Sequence, residues 1–293
     1  MTLVPGIFDA EDEHNAPMVC GSYVKIKEVM NNYIYPVREN ARGTNAGLYS
    51  AWNMVEKYVF DKLVIPLIEG TNNVILDVGA GEGKYSMLVA PHAKELIVVE
   101  PDSYRLDKAK KKLRSMQIKK TFLAEMGEQI EIQEASVDVA MCIHLFQHIT
   151  QSNADKVLTN LAESLRPGGL LILFFSDNTE YPTEFHLSWI NKGKHIITHI
   201  PESVFDVLTR TEHEGALQFR SIKKESIISQ LKKLGFNLEV SEGYMPVYPG
   251  ITKKLVKVAA SVVLNPVWRH KLLHYFGYDN YFDRCVVMSK VAT

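Results

Sequence analysis

The sequence predicts an α/β fold built on a doubly wound, mainly parallel sheet. Two apolar segments, residues 74–78 and 96–99, have the length and composition of buried strands. Amphipathic helical patterns separate such segments, for example in residues 102–113 and 153–165. Strands that alternate with helices favour parallel pairing through right-handed crossovers. The 293 residues and 46% hydrophobic content suffice for one large domain with additions.

Each of the two apolar segments ends in residues that suit a ligand. The first leads into the turn GAGEG at residues 79–83, and the second ends at Glu100. In a parallel sheet both ends lie at the carboxyl edge, where ligands bind. A glycine turn lets the backbone approach a nucleoside closely, and an acid can accept hydrogen bonds from both ribose hydroxyls. Dinucleotide turns read G-x-G-x-x-G, whereas this turn reads G-x-G-x-G and follows Asp77 within the strand.

The segment LDVGAGEGKYS, residues 76–86, resembles motif I of the class I S-adenosylmethionine-dependent methyltransferases that act on small molecules. Glu100 resembles the ribose-binding acid of that family. Residues 120–126, 136–143 and 165–170 resemble its third strand, its fourth strand and the turn before its fifth strand. The resemblance implies a Rossmann-like methyltransferase fold with a seven-stranded sheet and an antiparallel last strand. It also implies S-adenosyl-L-methionine as cofactor and S-adenosyl-L-homocysteine as product.

The same resemblance assigns the residues that hold the cofactor. The strand residue before the turn and the turn itself would hold the amino-acid and ribose parts, and the acid would take the ribose hydroxyls. Residues after the second, third and fourth strands would border the adenine and the methionine portion; the family most often has Asp where this chain has Glu125. The predicted cofactor-binding residues are Asp77, Gly79, Ala80, Gly81, Gly83, Glu100, Pro101, Glu125, Met126 and Ile143.

Two histidines, His144 and His148, follow the fourth predicted strand, close to where the resemblance places the transferred methyl group. Imidazole is suited to accept a proton near neutral pH, so both are candidate general bases. A purely structural role is the alternative for each. The spacing of four also suits a metal on a helix, as does the pair His195 and His199. We predict no metal site, because no third ligand has suitable spacing.

Three stretches lie outside the predicted core. Residues 1–70 form an N-terminal extension with a helix over 46–69, and residues 71–293 form the catalytic domain. Insertions at 177–220 and 243–280 are rich in aromatic residues, and we expect helical or aromatic caps that roof the pocket together with the N-terminal helix. A surface elaboration or a homodimer contact is the alternative. The basic, apolar segment 252–268 either packs on the domain, covers the pocket or touches a membrane surface.

Composition narrows the classes of function. A net charge of −1 gives no electrostatic footprint for nucleic acid. The three cysteines have no metal or disulfide spacing, and no signal peptide is recognisable, so we expect a cytoplasmic protein. No apolar run reaches the length of a bilayer.

The leading interpretation is methyl transfer to oxygen or nitrogen of a small-molecule or lipid-like, amphipathic acceptor. Two alternatives stay open: a protein or RNA methyltransferase, and a non-catalytic protein that binds S-adenosylmethionine. The spacing of the glycines opposes a nicotinamide oxidoreductase.

Overall fold

The computed structural model describes residues 46–70, 72–177, 185–191, 194–202, 205, 216–220, 222–246, 266–275 and 281–291. The chain divides into two compact units. The larger, which we call the sheet unit, comprises residues 50–147, 151–179 and 222–293. The smaller, which we call the insertion unit, comprises residues 1–49, 148–150 and 180–221.

The described residues form an alternation of strands and helices, as the sequence predicts. In chain order the elements are α1 (Ala46–Leu63), α2 (Ile65–Ile68), β1 (Asn73–Val78), α3 (Lys84–Val89), β2 (Ala93–Val99), α4 (Ser103–Leu113), β3 (Lys119–Leu123), β4 (Val137–Ile143), α5 (Gln151–Ser164), β5 (Leu165–Ser176), β6 (Phe185–Asn191), β7 (Lys194–His199), β8 (Ala216–Arg220), α6 (Lys224–Lys233), β9 (Phe236–Pro246), α7 (Pro266–Tyr275) and β10 (Tyr281–Lys290).

Seven strands of the sheet unit form one sheet in the order β3-β2-β1-β4-β5-β10-β9. The first five pair in parallel, and β10 pairs antiparallel with both β5 and β9. The predicted mainly parallel sheet and its antiparallel last strand are confirmed. The strand order reverses between β1 and β4, so the carboxyl ends of these two strands form the switch point at which α/β proteins bind ligands.

Helix α1 packs into the core of the sheet unit. Val55, Val59 and Phe60 are buried in one cluster with strand residues such as Ile75. The part of α1 from Ser50 onward belongs to the sheet unit. Residues 1–45 lie outside the described part of the chain.

The structure corrects three boundaries. Residues 166–169 lie within the bounds of β5, Leu165–Ser176, where the pairing register with β4 shifts between Leu165 and Leu170. Helix α5 begins at Gln151, before the predicted residue 153. Strand β9 runs to Pro246, so the first residues of the predicted insertion 243–280 belong to the sheet.

The insertion unit contains a three-stranded antiparallel sheet in the order β7-β6-β8. The rings of Phe185 and Phe205 lie 4.9 Å apart between centroids, and both side chains are buried with Ile200. The Arg220 guanidinium donates a hydrogen bond to the backbone oxygen of Ile149 at 3.1 Å. The described part of residues 177–220 consists mainly of strands, and the role of this insertion as a helical or aromatic cap stays a prediction. In the second insertion, helix α7 is described, whereas residues 252–265 lie outside the described residues.

Candidate active site

The turn after β1 folds over the end of β2. The backbone amides of Gly79 and Ala80 both donate to the backbone oxygen of Val99, at 2.9 and 3.1 Å. Gly79, Gly81 and Gly83 have φ values of 74°, 55° and 74°, which lie in the left-handed region that favours glycine. The turn therefore needs glycine at three alternating positions.

Only one of these glycines faces open space. A Cβ atom on Gly83 would lie 2.9 Å from Cβ of Ala109 in α4, and one on Gly79 would lie 3.2 Å from Cβ of Leu145. A Cβ atom on Gly81 would meet nothing within 4 Å. Gly83 and Gly79 thus permit close packing, whereas Gly81 leaves bare backbone where a ligand can approach.

Glu100 lies directly beside that bare backbone. Its carboxylate accepts hydrogen bonds from the backbone amides of Gly81 at 2.8 Å and of Asp102 at 3.1 Å. The residue is 5% exposed, and burial raises the pKa of its carboxyl group although the two amides oppose the rise. An acidic acceptor next to an open glycine fits the ribose of a nucleoside ligand.

Asp77 connects β1 to α3. Its carboxylate accepts a hydrogen bond of 2.5 Å from the Ser86 hydroxyl, and the residue is almost fully buried. Burial raises the pKa of Asp77 to about 6; the hydroxyl of Ser86 lowers it and the charge of Glu100 raises it further. A carboxylate held at this point fixes the start of the helix that follows the glycine turn.

The other predicted cofactor residues lie at the carboxyl ends of adjacent strands. Pro101 follows β2 and is exposed, as are Glu125 and Met126 after β3. Ile143 is the last residue of β4, not the first beyond it, and is buried. Together with the half-buried Ala80 they border the same edge of the sheet. Their contacts with the cofactor stay a prediction.

His144 follows β4 in a left-handed backbone conformation, with φ of 58°, which is rare for a residue with a side chain. Its backbone amide donates to the backbone oxygen of Phe174 in β5 at 2.7 Å. Unfavourable backbone conformations of this kind cost about 1–3 kcal/mol and cluster at functional sites. The conformation turns the imidazole toward α1.

The partner of that imidazole is Glu56 on α1, which is 3% exposed. Nε2 of His144 lies 2.6 Å from Oε2 of Glu56. Lys84 donates to the Oε1 atom of the same carboxylate at 2.7 Å, and Tyr244 donates to Oε2 at 3.1 Å. The hydroxyl of Tyr85 also donates to Oε1. Among the described residues, four side chains thus converge on one buried carboxylate: two from α3, one from β9 and one from the turn after β4.

The surrounding charges set the protonation of this cluster. Burial favours the neutral form of Glu56, but the hydrogen bonds and charges of His144 and Lys84 outweigh it and lower the pKa to about 2. For His144 burial acts against the charged ring, yet Glu56 outweighs it and raises the pKa above its usual value. The pair therefore holds a carboxylate beside an imidazole that takes up a proton readily.

A second buried carboxyl group lies near the pair. Asp283 in β10 accepts a hydrogen bond from the Ser176 hydroxyl at 2.8 Å, and burial raises the pKa of Asp283 to about 7. Burial also raises the pKa values of Tyr85 and Tyr244 well above the usual range, so both hydroxyls remain hydrogen-bond donors. Of the groups that touch Glu56, only His144 is suited to exchange a proton near neutral pH.

The ring of His144 has a further partner, since the side-chain amide nitrogen of Gln147 lies 2.9 Å from Nδ1. With Nδ1 as acceptor, the proton of the neutral ring sits on Nε2 and points to Glu56. His148 ends the one-turn helix Phe146–His148, is half-buried and belongs to the insertion unit. The structure thus brings one of the two predicted histidines into the Glu56 cluster.

Sequence reasoning missed Glu56, Lys84, Tyr85 and Tyr244. Glu56 was hidden because charged residues on helices are usually solvated, although it lies next to Val55 within the apolar stripe of α1. Tyr244 was assigned to the aromatic insertion, but it lies in β9 and is fully buried. A charge inside an apolar stripe is the signal that could have found Glu56.

Among the described residues, no group of three or more His, Cys, Asp or Glu side chains is arranged to hold a metal ion. None of the described helices has both the length and the apolar character needed to cross a membrane.

Comparison with known proteins supports a methyltransferase domain. Residues 75–169 match the methyltransferase domain family. The ubiquinone biosynthesis O-methyltransferase of Agrobacterium fabrum is 26% identical over 128 residues, which cover 41% of this chain and 50% of that protein. The chain spans about half, or less, of the length of the curated relatives it matches.

Solved structures share the fold. An S-adenosylmethionine-dependent methyltransferase from Mesorhizobium loti matches with a TM-score of 0.50 and 15% identity, over 77% of this chain and 96% of that one. The [4+2]-cyclase SpnF matches with a TM-score of 0.51 and 14% identity, over 82% of each chain. The second match shows that this fold by itself does not define a reaction.

The fold and the glycine turn with its acid define a class I S-adenosylmethionine-dependent methyltransferase domain, as the resemblance of motif I predicts. The match to the methyltransferase domain family covers residues 75–169 of the 293-residue chain, and the solved structures share its fold.

Proposed function

We propose that the protein transfers the methyl group of S-adenosylmethionine to oxygen or nitrogen of a small-molecule or lipid-like acceptor, and that His144 takes the acceptor's proton. The observation that carries the proposal is the 2.6 Å pair of His144 and Glu56 at the carboxyl end of β4. That end adjoins the glycine turn, because Leu145 would contact a Cβ atom on Gly79. The proposed base and the proposed cofactor turn are therefore neighbours.

Methyl transfer requires the protein mainly to position the cofactor and the acceptor. When bound, the cofactor supplies an activated methyl group for in-line displacement, so the protein needs neither a strong nucleophile nor a metal. Glu100 and the backbone at Gly81 would hold the nucleoside part. Glu56 orients the ring of His144 and stabilises its charged form, but its own pKa of about 2 makes it too weak a base.

Three observations favour a small protic acceptor. The net charge of −1 does not favour nucleic acid. The proposed base lies in a largely buried cluster, since the side chain of His144 is 19% exposed. A relative named as an O-methyltransferase supports oxygen as the methylated atom. His148 is the second proposed base, on the strength of its sequence position alone.

The test is transfer of a tritiated methyl group from S-adenosylmethionine to a panel of phenols, catechols, amines and carboxylic acids. Parallel samples contain total cell protein and RNA. We expect incorporation into at least one small acceptor, and His144→Gln lowers kcat about 10²- to 10⁴-fold, the range for loss of a general base. The affinity for S-adenosylhomocysteine stays within about twofold, because the ring does not belong to the proposed nucleoside site.

Matched variants separate the alternatives. Full activity of His144→Gln together with lost activity of His148→Gln would transfer the role of base to His148. Incorporation into protein or RNA alone would contradict the small acceptor. Tight binding of S-adenosylhomocysteine with no incorporation in any sample would favour the non-catalytic binding protein.

A further inference from the structure

Helix α7 presents two exposed aromatic side chains. Trp268 is 63% exposed and Tyr275 is 83% exposed. A Trp side chain is on average well buried, because its large ring system carries much apolar area. Among the exposed large apolar side chains of the described residues, only Tyr104 on α4 has a comparable exposed fraction. Helix α7 therefore carries apolar area whose removal from water by a partner is favourable.

The two rings share one face of α7 with a lysine. Residues three, four and seven positions apart lie on the same face of a helix, and Trp268, Lys271 and Tyr275 have these spacings. The ammonium nitrogen of Lys271 lies 4.9 Å from the ring centroid of Trp268 and 4.8 Å from that of Tyr58 on α1, so cation–π contacts hold the charge beside the rings. We call Trp268, Lys271 and Tyr275 the outer face of α7.

The opposite side of α7 packs on the sheet unit. His270 is 3% exposed, and its Nε2 atom lies 3.8 Å from Oε1 of Glu242 in β9. Its ring centroid lies 6.1 Å from that of Tyr58. Residues one or two positions apart do not share a helix face, so the burial of His270 directs the outer face away from the sheet. The exposure of the outer face thus follows from the way in which α7 packs.

The sequence around α7 is strongly basic. Residues 243–278 contain no Asp or Glu, although the chain as a whole has a net charge of −1. The Lys and Arg residues of this stretch are Lys253, Lys254, Lys257, Arg269 and Lys271. Residues 258–264, VAASVVL, add aliphatic side chains. An anionic lipid surface complements both the charge and the apolar character, whereas a nucleic acid complements the charge but offers aliphatic side chains no apolar layer.

We propose that the outer face of α7 binds a membrane surface that carries anionic phospholipids. Trp and Tyr rings are enriched at membrane interfaces, because their apolar bodies enter the headgroup region while their polar atoms stay hydrated. Lys271 reaches the lipid phosphates through its flexible stem. The proposal goes beyond methyl transfer and does not depend on which acceptor is methylated.

Flotation of the full chain with lipid vesicles tests the proposal. One set of vesicles contains phosphatidylcholine alone, and the other contains about one third phosphatidylglycerol. We expect the wild type to bind the anionic vesicles at least about tenfold more tightly, because each cation near the surface contributes roughly a factor of five. Binding should weaken as the salt concentration rises from about 0.05 M to about 0.5 M, since the shorter Debye length screens the charges.

Variants at exposed positions assign the binding to α7. Trp268→Ser combined with Tyr275→Ser removes both rings, and we expect at least about a tenfold loss of affinity for anionic vesicles. Lys271→Gln removes one charge and should lower the affinity about fivefold. Tyr104→Ser is the matched control and should bind like the wild type. Tyr104 is 66% exposed on α4 and also lies beside a lysine, with Nζ of Lys108 at 4.3 Å from its ring centroid.

The outcomes separate a lipid surface from other partners. No binding of the wild type to anionic vesicles would overturn the proposal, as would equal affinity for both kinds of vesicle. Wild-type affinity in the variant without the two rings would also overturn it. If that variant loses RNA binding or self-association while the wild type binds no vesicles, the outer face serves a nucleic acid or a second copy and the proposal is wrong. An unchanged melting temperature and unchanged binding of S-adenosylhomocysteine show that each variant is folded.

Discussion

Glu56 and His144 lie 88 positions apart in the chain, yet their side chains meet at 2.6 Å. The pair joins the N-terminal helix α1 to the carboxyl end of β4. Because both side chains are largely buried, removing either partner takes away a charge that stabilises the other. One contact thus links the packing of α1 to the protonation of the proposed base.

Replacing Glu56 by Gln tests this link. The variant keeps the shape of the side chain but removes the negative charge that holds the proton on His144. We expect the pKa of the imidazole to fall, and the free energy of unfolding to fall by about 3 kcal/mol, as for a broken buried ion pair. Histidine NMR titration gives the pKa, and chemical denaturation gives the free energy.

The matched control for Glu56→Gln is Asp61→Asn on the same helix. Asp61 pairs with Lys57, and both side chains are about half exposed. Exposed pairs contribute roughly 0–1 kcal/mol, so this variant should leave stability and the pKa of His144 almost unchanged. Equal effects of the two substitutions would contradict the role of the buried pair.

The pair also predicts how stability depends on pH. The pKa of Glu56 is lowered from 4.5 to about 2, so its contribution is present above pH 4.5 and is lost as the pH falls toward 2. The pKa of His144 is raised above 6.5, so its contribution is present below pH 6.5 and is lost as the pH rises through the raised value. The stability difference between wild type and Glu56→Gln should therefore peak between pH 4.5 and 6.5. A difference that is flat with pH in denaturation experiments would refute this.

Asp283 predicts a pH effect of its own. Burial raises its pKa from 3.8 to about 7, so the folded state favours the protonated acid and loses that advantage as the pH rises from 3.8 toward 7. Asp283→Asn mimics the neutral form. Relative to wild type it should gain on the order of 3 kcal/mol between pH 4 and pH 8, measured by denaturant unfolding. An unchanged difference across that range would mean that Asp283 is not the titrating group.

Glu100→Gln tests the proposed ribose acceptor. The variant keeps the side-chain shape but exchanges a charged acceptor for a neutral amide. We expect the affinity for S-adenosylhomocysteine to fall by about 1.5–3 kcal/mol, the scale for hydrogen bonds to charged groups, with calorimetry as the measurement. Glu82→Gln, in the same turn and paired with Lys108 and Lys112, is the matched control and should bind normally. Normal binding by Glu100→Gln would remove the residue from the cofactor site.

The glycines of the turn predict that two alanine variants differ in how much stability and how much cofactor affinity they lose. Gly83→Ala forces a methyl group to within 2.9 Å of Ala109 in addition to a left-handed backbone, so we expect a loss of about 2–5 kcal/mol in stability. Gly81→Ala adds a methyl group in open space, so only about 1–2 kcal/mol is lost while the affinity for S-adenosylhomocysteine falls. Thermal unfolding measures the loss of stability, and calorimetry measures the affinity. Equal losses of both in the two variants would be inconsistent with the assigned roles.

The sequence predicted the part of the site that local chain features define. The glycine turn and Glu100 were predictable because each follows an apolar strand, and the sheet brings the ends of β1 and β2 together. His144 was predictable as a candidate for the same reason. These residues depend on the order of strands, which the alternation of elements restricts to a few topologies.

The rest depends on contacts between distant segments. Glu56 lies on α1, which precedes the matched family region, whereas Tyr85 lies on α3 and Tyr244 on the late strand β9. No local sequence pattern relates these three positions. The insertion at 177–220 was expected to be a helical or aromatic cap, and its described residues form strands that contain aromatic and β-branched residues. Long-range packing, not local propensity, decides such features.

The most direct test of the central claim is calorimetric titration of the purified chain with S-adenosylmethionine and S-adenosylhomocysteine, with NAD as the control. Binding of the first two at about micromolar affinity, with none of NAD, is the predicted result, because the G-x-G-x-G turn and Glu100 fit a single nucleoside. Binding of NAD, or of none of the three, would contradict the assignment of this site as the cofactor site of a methyltransferase.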